Sequence, residues 1–282
     1  MHIKRQKIKR YRSVIKLELP DDIRSLFGQD AFAEIMQLQG RVYRDVAGRR
    51  TVQVTLGNDN YFVKQHFGIG WREIFKSFLS FKKPILGALT EVKAIQKLTD
   101  IGIATTPLVG YGVKGFNPAT QQSFIITRDL GDIVSLEDLC ADWQHNPPDT
   151  EFKRKLIIAL AQLAARLHGA GLCHRDFYLC HFVLKKAQLA QGELDLILID
   201  LHRMLMAQPS DGSAVMKDIA GLFFSARDCG FTGEDWVLFR QYYLPQTDDF
   251  WSKVEVRANQ LYSKFHSDKF QKRLSAEKSV ID

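Results

Sequence analysis

Between Arg41 and Lys64 apolar and polar residues alternate with a period of two. Val42-Tyr43-Arg44, Thr51 to Leu56 and Tyr61 to Lys64 are β-branched or aromatic runs, separated by turn signals around Gly48 and at Gly57-Asn58-Asp59-Asn60. This predicts an antiparallel meander of three strands. The period then lengthens: Ala88, Val92, Ile95 and Leu98 form one apolar stripe and predict an amphipathic helix carrying Glu91. A strand is expected within Ile101 to Tyr111 and another over Gln122 to Thr127, emptying into Arg128-Asp129-Leu130-Gly131-Asp132. Ser135 followed by Glu137 and Asp138 has the look of a capped helix start. Asn146-Pro147-Pro148 breaks the chain before a long helix, Glu151 to Gly169, whose Leu156, Ile157, Leu160, Leu163, Ala164 and Leu167 give a wide buried face. Another apolar helix, Val215 to Ala226, contains Asp218, and Trp236, Phe239, Tyr242, Tyr243 and Leu244 suggest further helical packing.

Composition narrows the class. A chain of 282 residues with 45% hydrophobic and 25% charged residues can bury a sizeable core as one large domain or two lobes. The net charge of +7 favours an acidic partner, an anionic membrane surface or a phosphorylated substrate. Four cysteines without a Cys-x-x-Cys pair read as reduced thiols of a cytoplasmic protein. The first twelve residues are basic, but charges interrupt the segment after them, and the apolar run Leu156 to Leu167 contains Gln162 and Arg166 and is too short for a bilayer span. Two stretches could face a membrane from the side. One is the basic cluster Lys4 to Arg12; the other is an insertion from Gly68 to Gly87 with Trp71, Phe75, Phe78 and Leu79 at helical spacing among Arg72, Lys76, Lys82 and Lys83. The alternatives are a solvated tail and aromatics packed on the protein. No nucleic-acid-binding signature is present, and no nucleic acid is expected as a partner.

The candidate chemistry centres on His174-Arg175-Asp176, the turn after the long helix, which continues through Phe177-Tyr178-Leu179-Cys180 to His181. Downstream, the apolar Ile197-Leu198-Ile199 ends abruptly in Asp200. Two carboxylates at the mouths of neighbouring loops are what phosphoryl transfer needs: Asp176 to receive the acceptor hydroxyl, and Asp200 to hold magnesium on the nucleotide phosphates. Lys64, which ends the third strand, would ordinarily be a snorkelling surface lysine, and Glu91 a solvent-facing helix residue. Together they suit a phosphate clamp and its ion-pair partner. The turn Asp45 to Arg50 stands where a kinase places its phosphate-covering loop, with one glycine and two arginines. The order Lys64, Glu91, Asp176, Asp200 predicts an α+β, bilobal protein-kinase-like fold. Its expected parts are a basic extension over 1–40, a small β-rich nucleotide-binding lobe over 41–130 containing the 68–87 insertion, and a helical large lobe over 131–282.

At finer grain, Tyr61 to Ala88 (Phe62 to Lys76 above all), Ser123 to Thr127, Ser135 to Trp143, His174 to Phe182 and Leu198 to Arg203 strongly resemble the lipopolysaccharide core heptose(I) kinases of Gram-negative bacteria. The resemblance runs from about residue 40 to residue 225. It implies ATP as phosphate donor with Mg2+, and the 4-hydroxyl of the first heptose of the inner-core glycolipid as acceptor, at the cytoplasmic face of the inner membrane. By carry-over Asp176 is the catalytic residue, Lys64 and Glu91 serve the nucleotide, and Asp200 ligates the metal. Asp218 matches the helix aspartate that braces the catalytic loop, and acyl carrier protein is an implied partner. His181 stands where protein kinases have a metal-binding Asn and is, with Asp200, a candidate metal ligand. Magnesium prefers oxygen, so either one metal is held or His181 orients the site. Asp200-Leu201-His202 replaces Asp-Phe-Gly, and no long activation segment is evident. Rival readings are a kinase for a second heptose, for Kdo or for a soluble alcohol, and an inactive adaptor.

Overall fold

The computed structural model describes residues 15–46, 48–71 and 87–278. The chain separates into two compact units: Met1–Val92 with Pro107–Asp129, and Lys93–Thr106 with Leu130–Asp282. The basic cluster at Lys4 to Arg12 and the body of the 68–87 insertion lie outside the described residues.

The first unit is built on a six-stranded antiparallel sheet, ordered β1-β5-β6-β4-β3-β2. Its strands are β1 (Ile15–Glu18), β2 (Arg41–Val46), β3 (Arg49–Leu56), β4 (Asp59–His66), β5 (Leu108–Lys114) and β6 (Gln122–Arg128). The meander falls where the alternation puts it. Leu56 pairs with Asp59, so a two-residue connection joins β3 to β4, and Gly57 supplies its positive φ of 63°. Val52 and Val54 of β3 oppose Val63 and Tyr61 of β4, and all four are buried. Phe32 and Ile35, from helix α1 (Ala31–Met36), join Phe124 and Ile126 of β6 in the same core. Each such side chain contributes about 1.5–3 kcal/mol of burial. A side chain at Gly112 would run into the rings of Phe124 and Phe32, at 2.5 and 2.9 Å from its Cβ, so only glycine lets β5 lie this close. With alternate residues facing opposite ways, Lys64 points away from the face that buries Val63.

The stretch Asp45 to Arg50 is mostly strand. Pairing of β2 with β3 continues through Asp45–Arg50 and Val46–Arg49. Arg50 Nε lies 3.5 Å from Asp45 and its Nη1 donates to Gln39 Oε1 at 3.0 Å. Opposite charges facing each other across the strands extend the ladder where the sequence pattern predicts a loop.

In the second unit, the long helix α3 spans Thr150–Gly169; it follows helix α2 (Leu89–Asp100), whose first turn belongs to the first unit. Asp149 caps α3 by accepting from the Phe152 amide, and the face carrying Leu156, Leu160, Leu163 and Leu167 is buried. Helices α4 (Ser213–Ala226), α5 (Gly233–Tyr242) and α6 (Asp248–Phe265) complete the packing around stacked rings of Phe223, Trp236 and Trp251. A three-stranded sheet, β7 (Ile133–Ser135), β8 (Phe182–Lys185) and β9 (Ile197–Leu198), frames the site. The His174–His181 loop leads into β8, and Asp200 comes just after β9. Among the described residues no helix is long and apolar enough to cross a membrane.

Candidate active site

In the first unit Lys64 Nζ lies 2.6 Å from Glu91 Oε1, with side-chain exposures of 22% and 4%. The strand aims Lys64 off the core face, and the start of α2 brings Glu91 to it. Ala88 at that start donates its amide to Ser123 Oγ of β6 at 3.0 Å, pinning the helix to the sheet. A carboxylate in a helix's first turn is also favoured by the helix dipole. Glu91 Oε2 is buried with no hydrogen bond among the described residues, so the ammonium is what compensates this charge. A lysine held in this way presents a fixed positive charge suited to anionic oxygens.

In the second unit the loop is held by Asp218 from inside α4. Its Oδ2 accepts the His174 amide at 2.6 Å and its Oδ1 the Arg175 amide at 2.8 Å. Arg175 has φ 73°, a left-handed conformation that costs a non-glycine residue about 1–3 kcal/mol. A hydrogen bond to a buried carboxylate, contributing about 1.5–3 kcal/mol, is enough to hold it. His174 is fully buried; its Nε2 donates to the Ile199 carbonyl at 2.8 Å, tying the loop to the residue before Asp200. Burial holds the His174 pKa below its ordinary value, against the smaller opposing effect of that hydrogen bond.

His181 joins the two acids. Its Nδ1 is 2.6 Å from the Asp176 carbonyl oxygen, which can only accept, so Nδ1 carries a hydrogen. The other nitrogen, Nε2, faces Asp200 Oδ2 at 3.7 Å. Asp200 itself has φ 62°, and its Oδ1 accepts from His202 Nδ1 at 2.5 Å. Asp176 Oδ1 accepts from Arg203 Nη1 at 2.6 Å. The Asp200 carboxylate fits a hard divalent cation, whereas the imidazole is a weaker match for magnesium.

The geometry therefore groups Lys64 with Glu91, and Asp176 with His181 and Asp200. His202 and Arg203, which the sequence presents only as a basic turn, have work in the site. Their place directly after Asp200 was the available signal. A buried trio, His168, Cys173 and Asp218, has ligand atoms within 4.8 Å of one another, but His168 and Asp218 are already engaged elsewhere. Asp218 holds the loop amides, and His168 Nδ1 and the Tyr243 hydroxyl are 2.7 Å apart. Burial pushes the Cys173 thiol up to about 12. The trio braces the loop from behind.

A model of the lipopolysaccharide kinase (Kdo/WaaP) family matches residues 33–243. The lipopolysaccharide core heptose(I) kinase WaaP of Escherichia coli K12 is 43% identical over 80% of this chain and 87% of its own length. The protein of the same name from Pseudomonas aeruginosa is 41% identical over 82% of this chain and 87% of its own. A solved structure of WaaP in complex with acyl carrier protein superposes with a TM-score of 0.74 and 36% identity, covering 88% of this chain and 99% of that one.

Proposed function

The chain belongs to the lipopolysaccharide kinase (Kdo/WaaP) family, and on that premise we propose that it transfers the γ-phosphate of ATP to the 4-hydroxyl of the first heptose of the lipopolysaccharide inner core. It is a phosphotransferase with an alcohol acceptor, and its fold is α+β and kinase-like. The observation that carries the assignment of roles is the state of Asp176. Arg203 occupies Oδ1, and Oδ2 has no hydrogen-bond partner among the described residues. That oxygen is the one to receive the acceptor hydroxyl.

In a loose phosphoryl-transfer transition state little proton removal is needed early, so the first task of Asp176 is to aim the hydroxyl. Its second is to take the proton as the new bond forms. Arg203 fixes the carboxylate's rotamer for both. Lys64, directed by Glu91, binds nucleotide phosphate oxygens. Asp200, with His181 beside it, would hold a magnesium ion, whose chemistry is to neutralise charge on the phosphates. His181 also ties the Asp176 carbonyl in place, so the imidazole orients the loop even without ligating anything.

We place the protein at the cytoplasmic face of the inner membrane, held from the side. Support comes from the basic balance of the chain, the lipid-anchored acceptor and the absence of a spanning helix among the described residues. The structural relative bound to acyl carrier protein, together with the net charge of +7, supports an acidic carrier protein as partner. Turnover of ATP with purified core glycolipid tests the assignment. Wild-type protein is expected to add one phosphate to the first heptose, and Asp176→Ala to add none while staying folded. Phosphate appearing on another sugar would refute it.

A further inference from the structure

Beside the catalytic loop, within the second unit, lies a cavity of about 440 Å³ lined by Arg175, Tyr178, Gln208, Ser213, Lys217 and Arg257, among others. Three of these carry positive charge. None of the three forms an ion pair among the described residues; Arg257 has only a 3.4 Å contact with Gln260. Asp218 also borders the cavity, but it is 2% exposed and both its oxygens hold loop amides. One buried carboxylate against three cations leaves the cavity with an excess of positive charge, and an anionic ligand relieves it.

Two further observations tie the cavity to the reaction. Arg175 is chain neighbour to Asp176, and Asp218 accepts its amide while it sits in its left-handed conformation. Tyr178 lines the cavity and links it to the catalytic acid. Burial is the main cause raising its hydroxyl pKa; the charge of Asp176 adds to this, and Arg203 and Arg257 oppose it. The cavity also opens at Ser213, the first residue of the 14-residue helix α4, where the helix dipole favours negative charge.

We infer that this cavity binds an acidic group, a carboxylate or a phosphate, carried by the acceptor, and so sets the acceptor's register against Asp176. The inference rests on the kinase reading above and deepens it. Arginine suits either oxyanion through paired N–H donors, and a volume of about 440 Å³ suits a sugar-sized acid. A carrier protein's acidic surface would seek an exposed face, whereas these groups line a concavity next to the reacting residue.

The test is steady-state kinetics on the full chain with Lys217→Gln, Arg257→Gln and the double variant. Neither residue belongs to the catalytic loop. The double variant is expected to raise KM for native core glycolipid about tenfold, with kcat and KM for ATP unchanged. Glycolipid whose sugar-acid carboxyls have been reduced to alcohols, and glycolipid stripped of phosphate, locate the source of the anion. Whichever treatment makes wild type and double variant equal identifies the group. Inorganic phosphate, titrated with ADP saturating, is expected to raise the melting temperature of wild type and not of the double variant, a readout independent of acceptor turnover. An unchanged acceptor KM would overturn the inference, as would loss of carrier-protein binding with the acceptor KM intact. Failure of wild type to phosphorylate any glycolipid would instead strike the kinase reading, and the phosphate titration would still judge the cavity.

Discussion

Arg203 Nη1 lies 2.6 Å from Asp176 Oδ1, so a residue three positions beyond the proposed metal ligand fixes the proposed catalytic carboxylate. The pair couples two loops that the chain keeps apart by an intervening hairpin. Losing the guanidinium frees the Asp176 rotamer and removes the carboxylate's hydrogen bond. Arg203→Gln is expected to lower kcat by about ten- to a hundredfold with KM for ATP unchanged, and Arg203→Lys to recover part of it, as a point charge without the planar fork. The KM-against-kcat split for both substrates checks this; an unchanged kcat would sink it.

Asp218 accepts two amides that no other group replaces. Asp218→Ala leaves both buried and unsatisfied and releases the strained Arg175 backbone, with an expected loss of about 2–5 kcal/mol. Asp218→Asn keeps one acceptor oxygen and should lose less. Urea unfolding of the three proteins, with equal m-values, measures the order.

Lys64 and Glu91 form a pair whose acid is 4% exposed. Lys64→Met leaves that carboxylate buried and alone, an expected cost of about 3–5 kcal/mol. Glu91→Gln removes the charge instead and should be milder, and the double variant should be more stable than Lys64→Met alone. A double-mutant cycle in denaturant tells these apart; full additivity would show that the contact carries no coupling.

His174 gives a pH dependence of defined sign. Its folded pKa lies below the ordinary 6.5 because burial disfavours the imidazolium. Between the two values the unfolded chain binds a proton that the folded chain refuses. Stability is therefore full above the ordinary value and declines as pH falls from there toward the lowered one. His174→Gln can keep the hydrogen bond to Ile199 through its amide, and should show a smaller change in unfolding midpoint between about pH 7.5 and about pH 5.5. An identical slope in wild type and variant would exclude His174 as the source.

Period and punctuation sufficed for the elements. The two-residue alternation of Thr51 to Leu56 and Tyr61 to Lys64, the glycine at position 57 and the prolines before Asp149 are local constraints, and local sterics answer them the same way in any context. The motifs placed Asp176 in a loop and Asp200 at a strand end for the same reason. Where local pattern misled was Asp45 to Arg50: a glycine and charged residues read as a loop, but cross-strand pairing of Asp45 with Arg50 extended the hairpin.

Partners distant in sequence were another matter. That Glu91 is the acid which meets Lys64 was an expectation about company, and only packing of α2 on the sheet sets the 2.6 Å contact. Nothing local in Leu201-His202-Arg203 says that one side chain turns to Asp200 and the next to Asp176. Nor does it say that Arg175, Lys217 and Arg257 line one cavity. Sequence determines which groups are present and on which face of an element they stand, because backbone geometry repeats. Which groups meet depends on how buried faces dock, since a contact between residues far apart in the chain exists only after the core that joins them has formed.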